Sequence, residues 1–356
     1  MASPLRVGIL FGGRSAEHEV SVVSAQGVMG AIDRERFQVV PLGVTKDGAW
    51  LTPEETRDAL VAINAERLAS LTASPAAAGV IGPRVLATLG ELDVVFPLVH
   101  GTFGEDGTLQ GFLEMLDVAY VGAGVAASAV GMDKALQQMI LRQAGLPVPQ
   151  SLVVTASRWQ EEGPALARDV EAQLGYPCFA KPANSGSSIG TTKVRSREDL
   201  AGAMTEAFRY DRKALVEQAI EGRQVECSVL GNDHPQASPL GEIVFTREFY
   251  DYVAKYKDPT TRLVIPAELP PDLARSLQAM AIAAFQAVDC AGMGRVDFFL
   301  GANDEPYLNE INTIPGFTPV SMYPKLWEAA GLSYRDLITR LIELGLERHR
   351  ERQERV

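Results

Sequence analysis

The sequence holds little of what metal–thiolate or redox chemistry needs. Its three cysteines, Cys178, Cys227 and Cys290, are odd in number, far apart and never in a CxxC pair. That excludes a disulfide framework and points to reduced core thiols. The four histidines (18, 100, 234 and 349) lack metal-ligand spacing, so a zinc site is not expected. No apolar run approaches the roughly 20 residues that cross a bilayer. Met1–Leu10 carries one Arg and runs directly into a strand-like segment, unlike a secretory signal. Basic residues are in deficit, 33 against 45 acidic ones, for a net charge of −12. Nucleic acid and anionic membranes are therefore disfavoured partners. Any phosphate ligand must be held by a few local cations and backbone N–H groups.

What is present is a soluble globular composition, 46% hydrophobic and 22% charged, over 356 residues, enough for two or three domains. Leu5–Phe11 reads as a strand ending in Gly12-Gly13, Val20–Ile32 has helical spacing, and Phe37–Val44 reads as a second strand. A helix over Pro53–Ser70, a buried strand Leu92–Val99 and a helix Thr108–Leu116 complete a βαβ alternation that predicts a parallel sheet covered by helices. After Gly122-Ala123-Gly124 the pattern changes. A helix Ala126–Ala144, strand Leu152–Thr155, helix Pro164–Leu174, strands Cys178–Lys181 and Thr192–Val194, helix Arg197–Phe208 and strand Leu215–Gln218 form a small α+β unit. Gln224–Leu230 opens a third region with a helix Pro271–Val288 and closing helices through Arg348. The charged tail Glu347–Arg355 reads as a solvated, fraying helix end. The expected units are residues 1–123, 124–220 and 221–356.

Two motifs carry chemistry. Met293–Leu300 and Pro306–Ile311 read as strands joined by the turn Gly301–Glu305. One face then presents Arg295 and Asp297, opposite Glu310 and Asn312, which are two residues apart and point the same way. Three hard oxygen donors suit Mg²⁺ shared with nucleotide phosphates. The second motif is the loop Lys181-Pro182-Ala183-Asn184-Ser185-Gly186-Ser187-Ser188-Ile189-Gly190. Its small residues let backbone N–H groups approach phosphate oxygens closely. It is not a Walker A loop, because the Lys precedes it and no GK[ST] follows. Lys134, and Glu217-Gln218-Ala219-Ile220 after a strand, strengthen the case for a nucleotide site.

In these segments the chain resembles the ATP-grasp enzymes, and within them the D-alanine–D-alanine ligase family along nearly its whole length. The resemblance rests on Gly12–Ser21, His100-Gly101 through Gly104–Thr108, Met132-Asp133-Lys134, Lys181–Gly190, Tyr250-Asp251-Tyr252 through Lys255-Tyr256, Gly294–Asp297 and Asn309–Gly316, in the family's order and approximate spacing. It implies an α/β and α+β three-domain ATP-grasp architecture with an N-terminal parallel-sheet domain, and phosphorylation of one D-alanine by ATP before a second D-alanine attacks. In-line phosphoryl transfer asks for positioning and charge neutralisation rather than a protein nucleophile, which agrees with a chain showing no Ser–His or Cys–His pair.

By matching positions, Asp297, Glu310 and Asn312 would bind two Mg²⁺ or Mn²⁺ ions, with a monovalent cation as a further candidate. Lys134, Lys181, Ser188 and Lys255 would contact phosphates or adenine, and Glu217, Gln218, Ala219 and Ile220 would surround the adenine. Arg295 and the Gly316 N–H would stabilise the oxyanion. Glu17 would hold the first ammonium, tied to Ser187 and Tyr256; Ser321 and Met322 would meet the second D-alanine, with His100 near the substrate. Gln224 stands where many relatives place a Glu for the ribose, with Glu226 two residues on and on the same face. The resemblance also implies a homodimer in the bacterial cytoplasm that supplies the D-alanyl-D-alanine unit of peptidoglycan.

Several of these residues have plainer readings. Glu17 could simply sit in the first turn of a helix, Tyr256 could pack an amphipathic segment, and Gly104–Gly107 could start the next helix. The nearest rival activity is a depsipeptide ligase joining D-alanine to D-lactate. In the family Tyr at position 256 goes with amine acceptors, so the dipeptide is favoured. Another ATP-grasp carboxylate–amine ligase and a non-catalytic nucleotide sensor are the remaining alternatives.

Overall fold

The computed structural model describes residues 3–62, 81–245 and 260–355. Its first sheet is parallel, in the order β2-β1-β3-β4, with β1 Leu5–Gly12, β2 Phe37–Val44, β3 Val94–Pro97 and β4 Ala119–Tyr120. The near-continuous apolar run of β1 follows from burial on both faces. Val7, Ile9 and Phe11 enter one core, and Leu10 enters another with Val40, Leu42 and Val95. On the first face lie helix α1, His18–Ala31, and the last helix, Tyr334–Gln353, through Leu337, Ile338, Leu341 and Ile342.

The second sheet is antiparallel, in the order β5-β8-β6-β7: Ser151–Thr155, Lys213–Gln218, Cys178–Pro182 and Thr192–Val194. Helices Ala156–Gln173 and Arg197–Ala207 cover it. The third sheet runs β11-β10-β9-β12-β13: Arg262–Val264, Gln236–Val244, Arg223–Gly231, Gly292–Leu300 and Pro306–Asn312. Helix Pro271–Ala287 packs against it through Leu277, Ala281, Ala284 and Phe285. Cys178, Cys227 and Cys290 are buried free thiols. Burial pushes Cys178 up to about 11 and the other two up to about 12, which leaves them protonated and inert.

Several expectations need correction. The helix expected over Ala126–Ala144 is two, Val125–Met132 and Lys134–Gln143. Asp133 leaves the helical region between them and caps the second, its Oδ1 accepting the N–H groups of Ala135 and Leu136 at 3.1 Å each. The helix expected from Pro164 begins at Ala156, capped by Thr155, and carries Pro164 inside it at the expense of one backbone hydrogen bond. Strand β10 was not anticipated: Pro239 masks it, at a shift of register between Ala237 and Leu240 where a missing N–H is tolerated.

The tail is not merely solvated. Arg348 donates from Nη1 to the Gly122 carbonyl at 2.6 Å and stacks 4.3 Å from the Tyr120 ring centre. Arg352 lies 3.3 Å from Glu114, and the helix continues to Gln353. The Pro53–Ser70 helix is described over Pro53–Ala62; the rest lies outside the described residues.

Candidate active site

The hairpin of β12 and β13 brings the acidic cluster together as its spacing predicts. Asp297 stands directly opposite Glu310, and Arg295 opposite Asn312. On the other side of β12, Glu226 of β9 is the register partner of Asp297. The Arg295 guanidinium grips Asp297 in a two-pronged pair, Nε to Oδ1 and Nη2 to Oδ2, both 2.7 Å. Its Nε also lies 3.1 Å from Glu226 Oε2. Burial opposes a charge on Arg295, but Asp297, Glu226 and Glu310 outweigh it and hold the guanidinium well above its ordinary pKa. Lys134 reaches the same cluster, 3.3 Å from Glu310 Oε2 and 2.6 Å from the Ser185 carbonyl. The donor set fits a hard divalent cation: two carboxylates and an amide oxygen converge on one face of the hairpin, and two lysines stand nearby for anionic ligands.

Two cavities meet at this cluster. One, of about 570 Å³, is lined by Lys134, Lys181, Ser188, Glu217 through Ile220, Gln224 and Asp297. Lys181 pairs with Glu217, whose other oxygen accepts from Gln138 Nε2 at 2.5 Å. Ser151 in turn donates to Gln138 Oε1 at 2.6 Å, which orients the amide so that its NH₂ meets the carboxylate. Gln138 was not anticipated. The available signal was its place four residues after Lys134, one turn along the same helix. Gln224 lines this cavity, while Glu226 is directed to Arg295.

The second cavity, about 860 Å³, is lined by Glu17, His100, Glu105, Ser187, Arg295, Glu310, Asn312, Gly316, Ser321 and Met322 among others. Glu17 is brought to the phosphate loop: Ser187 Oγ donates to its Oε1 at 2.5 Å, and a Cβ on Gly186 would lie 3.0 Å from its Oε2. Ser187 and Ser188 hold φ of 48° and 59°, a strained region for residues with a side chain.

His100 Nδ1 donates to the Ile314 carbonyl at 3.1 Å, so its Nε2, buried and without a hydrogen-bond partner, is the atom left for a ligand. Burial works against a charge on this ring, yet Glu105, 3.6 Å away, and Glu17 raise its pKa overall. Glu105, in the segment leading into the helix Thr108–Met115, also accepts the Gly101 N–H at 2.7 Å. Ser321 stands at the N-terminal boundary of the helix Met322–Ala329 without a side-chain bond to it, and its Oγ accepts the Thr318 N–H at 3.1 Å. Met322 packs on Ile243 and Leu326. Lys255, Tyr256 and the Tyr250–Tyr252 motif lie outside the described residues.

The chain is similar to known proteins along nearly its whole length. Residues 6–123 match the family described as D-ala D-ala ligase N-terminus, and residues 140–343 match D-ala D-ala ligase C-terminus. The chain is 48% identical over 357 residues to the D-alanine–D-alanine ligase of Geobacillus thermodenitrificans, covering 98% of this chain and 97% of that one. It is 49% identical over 354 residues to D-alanine–D-alanine ligase A of Escherichia coli K12, covering 97% and 96%. The solved D-alanine–D-alanine ligase of Coxiella burnetii superposes with a TM-score of 0.81 at 36% identity, covering 99% of this chain and 97% of the other. The VanG D-Ala:D-Ser ligase of Enterococcus faecalis gives 0.81 at 33% identity, covering 96% and 100%.

Proposed function

The chain belongs to the D-alanine–D-alanine ligase family, and we propose that the cluster at the β12–β13 hairpin is where it performs the family's reaction. The enzyme is an ADP-forming ATP-grasp ligase that joins two D-alanines for peptidoglycan. The observation that carries the site assignment is the convergence of Arg295, Asp297, Glu310 and Asn312 between two cavities, one with nucleotide-type lining and one opening on Glu17 and His100.

A carboxylate resists nucleophiles until one of its oxygens becomes a leaving group. ATP supplies the phosphoryl group; Asp297, Glu310 and Asn312 would hold two divalent cations, which would neutralise its charge. The residues of the chain position the reactants. Lys134 and Lys181 stand where phosphate oxygens would lie, and Glu217, fixed by Gln138, presents an acceptor to an adenine amine. Glu17, in the larger cavity, offers a carboxylate to the ammonium of the first D-alanine. Glu105 and Glu17 favour the charged His100 ring, whose Nε2–H would donate to a bound anion. The second D-alanine brings its carboxylate toward Ser321 and its amine toward the acyl carbon. Arg295 and the Gly316 N–H then face the oxyanion of the tetrahedral adduct, as fixed donors aimed at developing charge. The same reading carries Mg²⁺ or Mn²⁺ as the metals and a homodimer in the bacterial cytoplasm. No helix among the described residues is long and apolar enough to cross a membrane.

Acceptor choice is tested by offering D-alanine, D-lactate and D-serine together with MgATP and resolving the products by mass. The dipeptide D-alanyl-D-alanine is expected to dominate. A depsipeptide or a D-serine product in excess would overturn the acceptor assignment while leaving the phosphoryl-transfer site intact.

A further inference from the structure

Arg295 and a divalent cation compete for the same carboxylate. Both Asp297 oxygens are engaged by the guanidinium at 2.7 Å, and the same residue is a candidate metal ligand. Arg295 and Asp297 are each only 14% exposed in their side chains. A buried cation that lost its partner would carry a heavy desolvation cost. When Asp297 turns its oxygens to a metal, something else must hold the guanidinium in place and balance its charge.

Glu226 is placed to do this. It lies at the register position of Asp297 on the neighbouring strand β9, its side chain is 6% exposed, and its Oε2 is 3.1 Å from Arg295 Nε. It lines both cavities. The contact is one of charge, since the single Nε–H already donates to Asp297 Oδ1.

We propose that Glu226 is a positioning residue that retains Arg295 while the metal takes Asp297. It thereby both weakens the competition of Arg295 for Asp297 and fixes the guanidinium for the oxyanion. The inference rests on the assignment of Arg295 and Asp297 above, and it concerns this chain's own charge network rather than contact with substrate. Glu226 shares its strand face with Gln224, but its carboxylate is turned to Arg295. Neutralising it leaves Arg295 leaning wholly on Asp297.

The test uses Mn²⁺ alone as probe, titrated into the full-length protein without substrates and read by electron paramagnetic resonance. E226Q is expected to weaken Mn²⁺ binding by about tenfold or more, the usual range for residues that orient metal ligands. It should also lower kcat with the KM for ATP unchanged, and E226D should restore part of both. In an R295A background, the E226Q substitution should no longer change Mn²⁺ affinity, since its influence passes through the guanidinium. An equal loss of Mn²⁺ affinity with and without Arg295 would overturn the proposal, because Glu226 would then act on the metal directly. So would unchanged Mn²⁺ binding and kcat in both E226Q and E226D. A raised KM for ATP alone would return Glu226 to the nucleotide. Thermal melts of each variant separate these outcomes from unfolding. The Mn²⁺ readout stands even if the wild type forms some product other than dipeptide, so the two readings fail separately.

Discussion

Replacing Arg295 by Ala is expected to lower kcat by roughly 10²–10³-fold, the loss typical for one oxyanion donor, while Mn²⁺ still binds. The same substitution leaves Asp297 and Glu226 facing one another across β9 and β12 without their shared cation. Breaking a buried pair by removing one partner costs about 3–5 kcal/mol, so the metal-free protein should melt well below the wild type. Added Mg²⁺ should raise the melting temperature of R295A more than that of the wild type, because Asp297 no longer has to be taken from the guanidinium. Melting curves with and without Mg²⁺, beside steady-state turnover, check both halves. An R295A protein as stable as the wild type without metal would show that the pair is not the charge balance described here.

Glu17→Gln is expected to act on the first D-alanine and to leave the nucleotide alone. Glu17 accepts from Ser187 at 2.5 Å and faces the larger cavity, whereas the nucleotide-type cavity does not include it. The amide keeps the shape but removes the charge that an ammonium needs. Hydrogen bonds to charged groups contribute about 1.5–3 kcal/mol, so kcat/KM for D-alanine should fall by roughly 10–100-fold with the KM for ATP within about twofold. Ser187→Ala should move the same parameter in the same direction, but less, because it removes only the tether. Initial-rate kinetics at varied D-alanine and varied ATP separate these effects. An E17Q enzyme impaired mainly in ATP binding would place Glu17 in the phosphate loop's machinery instead.

Much of this site was legible because strand alternation is a local property. Arg295 and Asp297 on one strand, Glu310 and Asn312 on the next, had to share a face once the hairpin was recognised, and the register confirms it. The parallel N-terminal sheet was equally readable, since its strands are continuous apolar runs.

What escaped was set by partners distant in sequence. Asp133 breaks a helix because it caps the next one and pairs with Lys213, 80 residues away. Glu226 alternates with Gln224 on β9, and only the neighbouring strand shows that its partner is Arg295. Gln138 looks like an ordinary helical polar residue until Ser151 and Glu217 close around it. The tail reads as solvated because its charges are conspicuous, and Tyr120 and Gly122, more than 200 positions earlier, are what hold Arg348.

Activation at the proposed site turns one D-alanine carboxylate into an acyl phosphate. It is tested most directly with D-alanine carrying ¹⁸O in its carboxylate, MgATP and mass analysis of the phosphate released. Activation by phosphoryl transfer predicts that one ¹⁸O passes from the carboxylate to each phosphate formed with dipeptide, and that none is transferred when Asp297→Asn is used. Phosphate free of ¹⁸O, released alongside dipeptide by the wild-type enzyme, would contradict the account.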